Sequence, residues 1–242
     1  HTAYRRQRQM CIRDRYNAKW VLARVVRDHA MRVDVNAIKN AASIMQECLC
    51  DLQSANDHKM LLGFEGKAAV AYFGVLDELI LQQKDVFFFH GRNKRPPEDN
   101  VNALLSFGYT LLSHDCASAC ESVGLDAYVG FLHQDRPGRI SLALDLMEEL
   151  RAIMVDRFVI TLINKKILTS AHFIKKENNA VLLNEEGRRI FLATWQNKKN
   201  EQITHPYLKE KIEWGMVPFV QAQLLARYLR GDLDEYAPFL WK

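Results

Sequence analysis

From Tyr16 onward the apolar positions recur with the 3.6-residue period of helices packed along one face. Trp20, Val21, Val25 and Val26 mark a first helix, and Val35, Ile38, Ala42, Met45 and Leu49 a second. Leu61 through about Leu81 form a third. Pro96 and Pro97 punctuate the next loop, and Asp99 or Asn100 can cap a long fourth helix running from Val101 through Leu104, Leu105, Tyr109 and Leu112 to about Val123. Pro137 and Gly138 break the chain again, and a fifth helix carries Leu142 through about Ile163. The one strong strand signal is Phe173–Lys176 and Ala180–Leu183 around Asn178-Asn179, a small hairpin, because asparagine tolerates positive φ. A helix follows from about Glu185 to Trp195. The last long helix is expected to start at Thr204, bend at Pro218 and end at Gly231. The fold class is therefore all-α, with one small β-hairpin near 173–183.

Composition changes this picture at one end only. Residues 1–15 hold five arginines and one aspartate, which accounts for the entire net charge of +4, while the rest carries 28 basic and 28 acidic residues. That stretch reads as a foreign or disordered leader, and residues 16–242 as the helical domain. The balanced body gives no bulk argument for nucleic acid, so any such case rests on local patches. Five cysteines, at 11, 48, 50, 116 and 120, form no C-x-x-C pair, and a reducing cytoplasm is the simplest reading. Cys116 and Cys120, four apart on a helix, read as small core residues. No run of about eighteen apolar residues exists to span a membrane.

The candidate chemistry is one imidazole with several carboxylates. Asp145 and Glu148 are three apart on the fifth helix, hence neighbours on one face, opposite an apolar stripe that includes Leu146, Met147 and Leu150. From this helix alone, a solvated acidic face is the ordinary reading. Glu149, at the border of the stripe, should point away. His133 ends the apolar segment Tyr128–Leu132, where a histidine is more often structural than a ligand; His90 and His114 are its competitors, His114 as a semi-buried helix residue. Glu65 is a solitary acid among the small residues Gly66, Ala68, Ala69 and Ala71, with Tyr72 seven residues on. An imidazole with oxygen donors suits Mg²⁺ or Mn²⁺ and phosphodiester chemistry. The loop from Phe87 to Pro97 sets Arg92, Lys94 and Arg95 beside aromatics, a surface suited to gripping phosphates, though as an isolated patch it is equally an ordinary solvated loop.

The segments GFEGKAAVAYF, GRNKRPPEDNVNALLSFGYTLL, VGFLHQDRPGRISLALDLMEELR, ITHPYLKEKIEWG and YLRGDLDEYAPFLWK together resemble the CRISPR-associated spacer-integration endonuclease family, most closely its type I-C members. The resemblance covers about Tyr16 to Lys242. It implies a metal-dependent DNA endonuclease and integrase of CRISPR adaptation, with Glu65, His133 and Glu148 as metal ligands and Asp145 as a further acid close to the ion. It also implies partners: double-stranded DNA, as spacer precursor and as repeat, a small ferredoxin-like second adaptation subunit, and a second copy of the chain. Family members begin with a β-rich domain that packs in the dimer. This sequence shows none, so dimerisation is in doubt, and the first helix is expected to leave an apolar patch exposed near residues 18–26.

Two rivals stand beside this reading. A non-catalytic helical DNA-binding or scaffold module would have no reason to gather Glu65, His133 and Glu148. A helical metalloenzyme acting on small phosphates would need a closed pocket. If one ion is held, the three ligand groups should lie roughly 3–5 Å apart, with Asp145 at the rim as a second carboxylate.

Overall fold

Helix-forming periodicity and capping chemistry set most of the element ends. The computed structural model describes residues 2–54, 58–93, 95–131, 133 and 136–241, with the side chains of 2–15, 52–54, 58 and 61 left aside. Helices α1 (Thr2–His29), α2 (Val35–Ser54) and α3 (His58–Gly74) pack on one another. Buried Leu22, Ile38 and Met45 lie where the 3.6 period places them. The change of composition at Tyr16 is matched by no change of backbone, because residues 2–15 continue α1 as helix. The third apolar stretch is shorter than expected: α3 stops at Gly74, and a single 3-10 turn, Leu76–Leu79, completes it. Helix α4 (Asn100–Ser122) starts as the sequence requires, the Asp99 carboxylate accepting from the Asn102 amide at 2.7 Å.

Helix α5 (Ser141–Arg151) and α6 (Arg157–Asn164) form the expected fifth helix, joined by a π segment at Ala152–Asp156. Such a segment inserts one residue into the helical register and re-aims the side chains beyond it. Here buried Asp156 accepts from the hydroxyls of Tyr72 (2.9 Å) and Tyr109 (2.5 Å). Strands β1 (Phe173–Lys175) and β2 (Val181–Leu183) pair antiparallel, with Asn179 at φ 62° in the turn. Helix α7 (Glu185–Lys199) is capped by Asn184.

The chain end departs from expectation. Thr204 does not begin a helix. It ends β3 (Gln202–Thr204), which pairs with β4 (Lys211–Glu213) in a second hairpin. Helix α8 (Val217–Arg230) starts only afterwards, so Pro218 falls in its first turn, where no amide partner is lost and no bend results. Gly231 ends α8 at φ 87°.

Nor is residue range 18–26 an exposed patch. Ala18, Val21 and Leu22 are buried, and Trp20 meets Trp241 edge to face, with ring centroids 5.9 Å apart. The C-terminal tail covers α1 because buried Asn17 ties the two together. Its amide donates to the carbonyls of Phe239 (2.7 Å) and Glu149 (2.8 Å), and its oxygen accepts from the Trp241 amide (3.0 Å). Among the described residues no helix is long and apolar enough to cross a membrane.

Candidate active site

The loop between α4 and α5 is drawn onto α5 by one carboxylate. Asp145 is fully buried, and its two oxygens accept from the amides of Phe131 (2.5 Å) and His133 (3.0 Å). The same carboxylate meets His133 Nδ1 at 2.6 Å. A carboxylate only accepts, so Nδ1 carries a proton, and Nε2 is left to serve the cleft. Gly130 is required beneath this loop. A Cβ there would stand 2.7 Å from Ser141 Cβ and 3.0 Å from Asp145 Oδ2. Asp145 is thus not a second carboxylate at the rim, as the sequence suggested. Two amides and a ring nitrogen satisfy it inside the protein, which is what a buried carboxylate needs.

One turn on, Glu148 faces the other way, into an open cleft of about 820 Å³. Glu65 and Phe73 of α3 line this cleft, with Tyr109 of α4 and His133 of the loop. The three candidate ligands, from separate parts of the chain, therefore share one cleft. They do not close around a point: among the described residues no three His, Cys, Asp or Glu groups are gathered so as to hold an ion. Glu148 is instead engaged by Arg151, with Nη1 2.9 Å from Oε1 and Nη2 2.7 Å from Oε2. Even so, the donor set suits a hard divalent ion, having one imidazole oriented through its far nitrogen by a carboxylate and two further carboxylates on the same cleft.

Five arginines also line the cleft (Arg92, Arg95, Arg136, Arg139 and Arg151), against two glutamates, so its charge favours an anion. Arg95 and Arg136 are exposed. Arg92 is half-buried and largely committed, donating to the Asn93 carbonyl (2.6 Å), Asn102 Oδ1 (2.5 Å) and Ser106 Oγ (3.1 Å). Burial lowers its pKa from the usual arginine value. Lys94 lies outside the described residues. Tyr72 is no DNA contact: it is 3% exposed and faces inward to Asp156, since the π segment brings that acid beneath it. Burial, followed by the charge of Asp156, pushes the Tyr109 hydroxyl well above its ordinary pKa. His90 is exposed beside Phe88, and His114 is exposed rather than semi-buried. Glu149 is buried in a separate polar network and does not line the cleft.

Sequence reading missed Arg136, Arg139 and Arg151 as cleft residues. A signal was present for each: the first two come after His133 in the same loop, and Arg151 is one turn beyond Glu148.

Fold and cleft define a class, a helical domain built around a basic groove that carries one oriented imidazole and two carboxylates. The family model described as "CRISPR associated protein Cas1" matches residues 3–197, and the chain belongs to that family. It is 52% identical over 230 residues to CRISPR-associated endonuclease Cas1 2 of Rhodospirillum rubrum, covering 93% of this chain and 67% of that protein. It is 44% identical over 226 residues to CRISPR-associated endonuclease Cas1 of Leptospira interrogans, covering 93% and 89%. Among solved structures, a casposase bound to integration product superposes with a TM-score of 0.84 at 28% identity, over 99% of this chain and 65% of that one. The chain thus spans about two thirds of the length of the Rhodospirillum relative and of the casposase.

Proposed function

We propose that this chain is the catalytic helical domain of a cytoplasmic DNA endonuclease and integrase of CRISPR adaptation, joining new spacers into the array by phosphodiester transesterification. One observation carries the reading: Glu65, His133 and Glu148 line a single cleft among five arginines. The partners belong to the same proposal, namely double-stranded DNA, a small second adaptation subunit and a second copy of the chain.

Asp145 holds the His133 ring so that Nε2 stays an acceptor toward the cleft, and it keeps the loop carrying that ring in place. The arginines bind the non-bridging phosphate oxygens, with forked donors that match them. Their charge also stabilises the phosphorane as negative charge builds on it. A 3′-hydroxyl, or water in nuclease mode, gives up its proton to solvent and attacks phosphorus as the opposite P–O bond breaks, and the departing sugar oxygen takes up a proton and leaves as a hydroxyl. Mg²⁺ or Mn²⁺, held by Glu65, His133 Nε2 and Glu148, would supply Lewis-acid polarisation of the scissile phosphate.

The test is His133→Ala, assayed for cleavage and strand joining on duplex DNA with Mn²⁺, with circular dichroism as the folding control. Activity should fall by at least about 10²-fold with the fold unchanged, because the imidazole faces a cleft rather than the core. Full activity in the folded variant would overturn the proposal.

A further inference from the structure

Glu148, one of the candidate ligands, already has a cation on it. Arg151 lies across both its oxygens, and the pair is largely withdrawn from water, with side chains 9% and 19% exposed, so its attraction is little screened. The same guanidinium lies 5.6 Å from the centroid of the Tyr109 ring, and Arg92 lies 5.2 Å from it. The ring is a fixed platform, because its hydroxyl is anchored on buried Asp156. Arg151 therefore has a carboxylate on one side, an aromatic face beside it and the open cleft before it.

A divalent ion bonded to Glu148 would stand within a few ångströms of the guanidinium, and the two cations would repel each other there, each weakening the other's hold on the carboxylate. We infer that Arg151 is a latch on Glu148: it holds the carboxylate in the ion's place, and releases it by turning to a phosphate of bound DNA. This rests on the metal-dependent reading above. The chemistry suits the exchange, since the planar fork that pairs with a carboxylate pairs equally with a phosphate. The Tyr109 face can keep the stem aligned in both positions. Each ligand takes away one half of the ion pair, so DNA and the divalent ion assist each other's binding. By linkage, that assistance is reciprocal.

The experiment is Mn²⁺ titration of the whole chain, without DNA and with a short blunt duplex, for wild type, Arg151→Gln, Arg151→Lys and His133→Ala. Without DNA, Arg151→Gln should bind Mn²⁺ about tenfold more tightly than wild type, a coupling of ordinary size. Arg151→Lys should fall between them. The duplex should raise Mn²⁺ affinity in wild type and raise it much less in Arg151→Gln. Unchanged or weaker Mn²⁺ binding by folded Arg151→Gln, with binding still lost in His133→Ala, would remove the latch and leave the metal site standing. No Mn²⁺ on either wild type or Arg151→Gln would remove both. Should Arg151→Gln fail to fold, Glu148→Gln decides the matter in EDTA. It removes the carboxylate's hold on Arg151 and should tighten duplex binding severalfold. Unchanged or weaker duplex binding by folded Glu148→Gln overturns the latch.

Discussion

Glu148 and Glu149 are adjacent on α5 and are 7% and 1% exposed, yet they serve opposite sides of the molecule. Glu149 turns into the core, where it accepts from Gln221 Nε2 (2.6 Å), the Tyr236 hydroxyl (2.9 Å) and the Phe239 amide. Those donors are neutral and fixed, two on packed side chains and one on the backbone of the tail that closes over α1. Glu148 turns to the cleft and meets a guanidinium that can be exchanged. Burial alone therefore does not mark a carboxylate as structural. What separates strut from site is whether its partners are locked into the fold or can leave.

That contrast is broken most directly by removing each acid. Glu149→Ala takes the carboxylate acceptor from the Tyr236 hydroxyl and the Phe239 amide, while Gln221 Nε2 keeps the Ala237 carbonyl, and should cost about 3–5 kcal/mol at about 1–3 kcal/mol per donor left unsatisfied, a large share of an ordinary domain's stability. Glu148→Ala leaves Arg151, 19% exposed, beside the Tyr109 ring with the cleft to turn to, and should cost about 2 kcal/mol, less than the loss at Glu149. Urea denaturation of both variants decides it, and equal losses would sink the distinction.

Gly130→Ala comes next. Its new Cβ would clash with Ser141 and press on Asp145, so the loop bearing His133 must shift. A misplacement of about 1 Å can cost about 10²-fold in rate. Strand joining should fall by that order while the core, remote from Gly130, keeps most of its stability. Wild-type activity in Gly130→Ala would mean the loop's position is unimportant.

Most of the helical frame was legible because its signals are local and repeated. Asp99 capping α4, Asn179 turning the first hairpin and Gly231 ending α8 are single residues with one strongly favoured backbone role. The second hairpin was not legible. Its strands are no shorter than those of the first, but no asparagine pair marks a turn between them, and Pro218 reads as a bend unless the helix start is known. Nothing in the sequence marks the π segment, which turns Tyr72 from an apparent cleft residue into a core one. At the site, family resemblance brought together Glu65, His133 and Glu148, which periodicity could not do. Spacing put Asp145 and Glu148 on one face, but depth along that face depends on the 130–133 loop, which folds over one acid and leaves the other to the cleft.

Asp145 sharpens the comparison from between its two neighbours: it is buried like Glu149, yet it acts on the cleft through His133. Asp145→Asn preserves shape but places an amide group where an oxygen now accepts. The His133 ring should then lose its fixed tautomer. Loss of such an orienting partner typically weakens metal affinity by about 10- to 100-fold. Mn²⁺ titration of the folded variant reads this out, and unchanged affinity would show that Asp145 is only a strut for the loop.

The smallest effect extends the core side of the comparison. His205 is fully buried and shares Gln221 with Glu149, its Nε2 lying 3.0 Å from Gln221 Oε1. Its Nδ1 accepts from the amides of Leu208 (3.2 Å) and Tyr207 (3.3 Å). That pattern requires a neutral ring, with the proton on Nε2. Burial lowers its pKa from 6.5, against a weaker opposing pull from Gln221. Below 6.5 the unfolded chain takes up a proton that the folded ring still refuses, so the unfolded state binds more protons and stability falls as pH falls. The contribution is fully present above pH 6.5 and is lost progressively down to the folded-state pKa. Stability measured between pH 7.5 and 5 should decline less steeply in His205→Gln than in wild type, and the His205 ring should titrate below 6.5 by NMR. A ring that protonates at or above 6.5 would show that the Gln221 network accommodates charge, and would make Glu149, one hydrogen bond away, less of a sealed strut than its neighbours suggest.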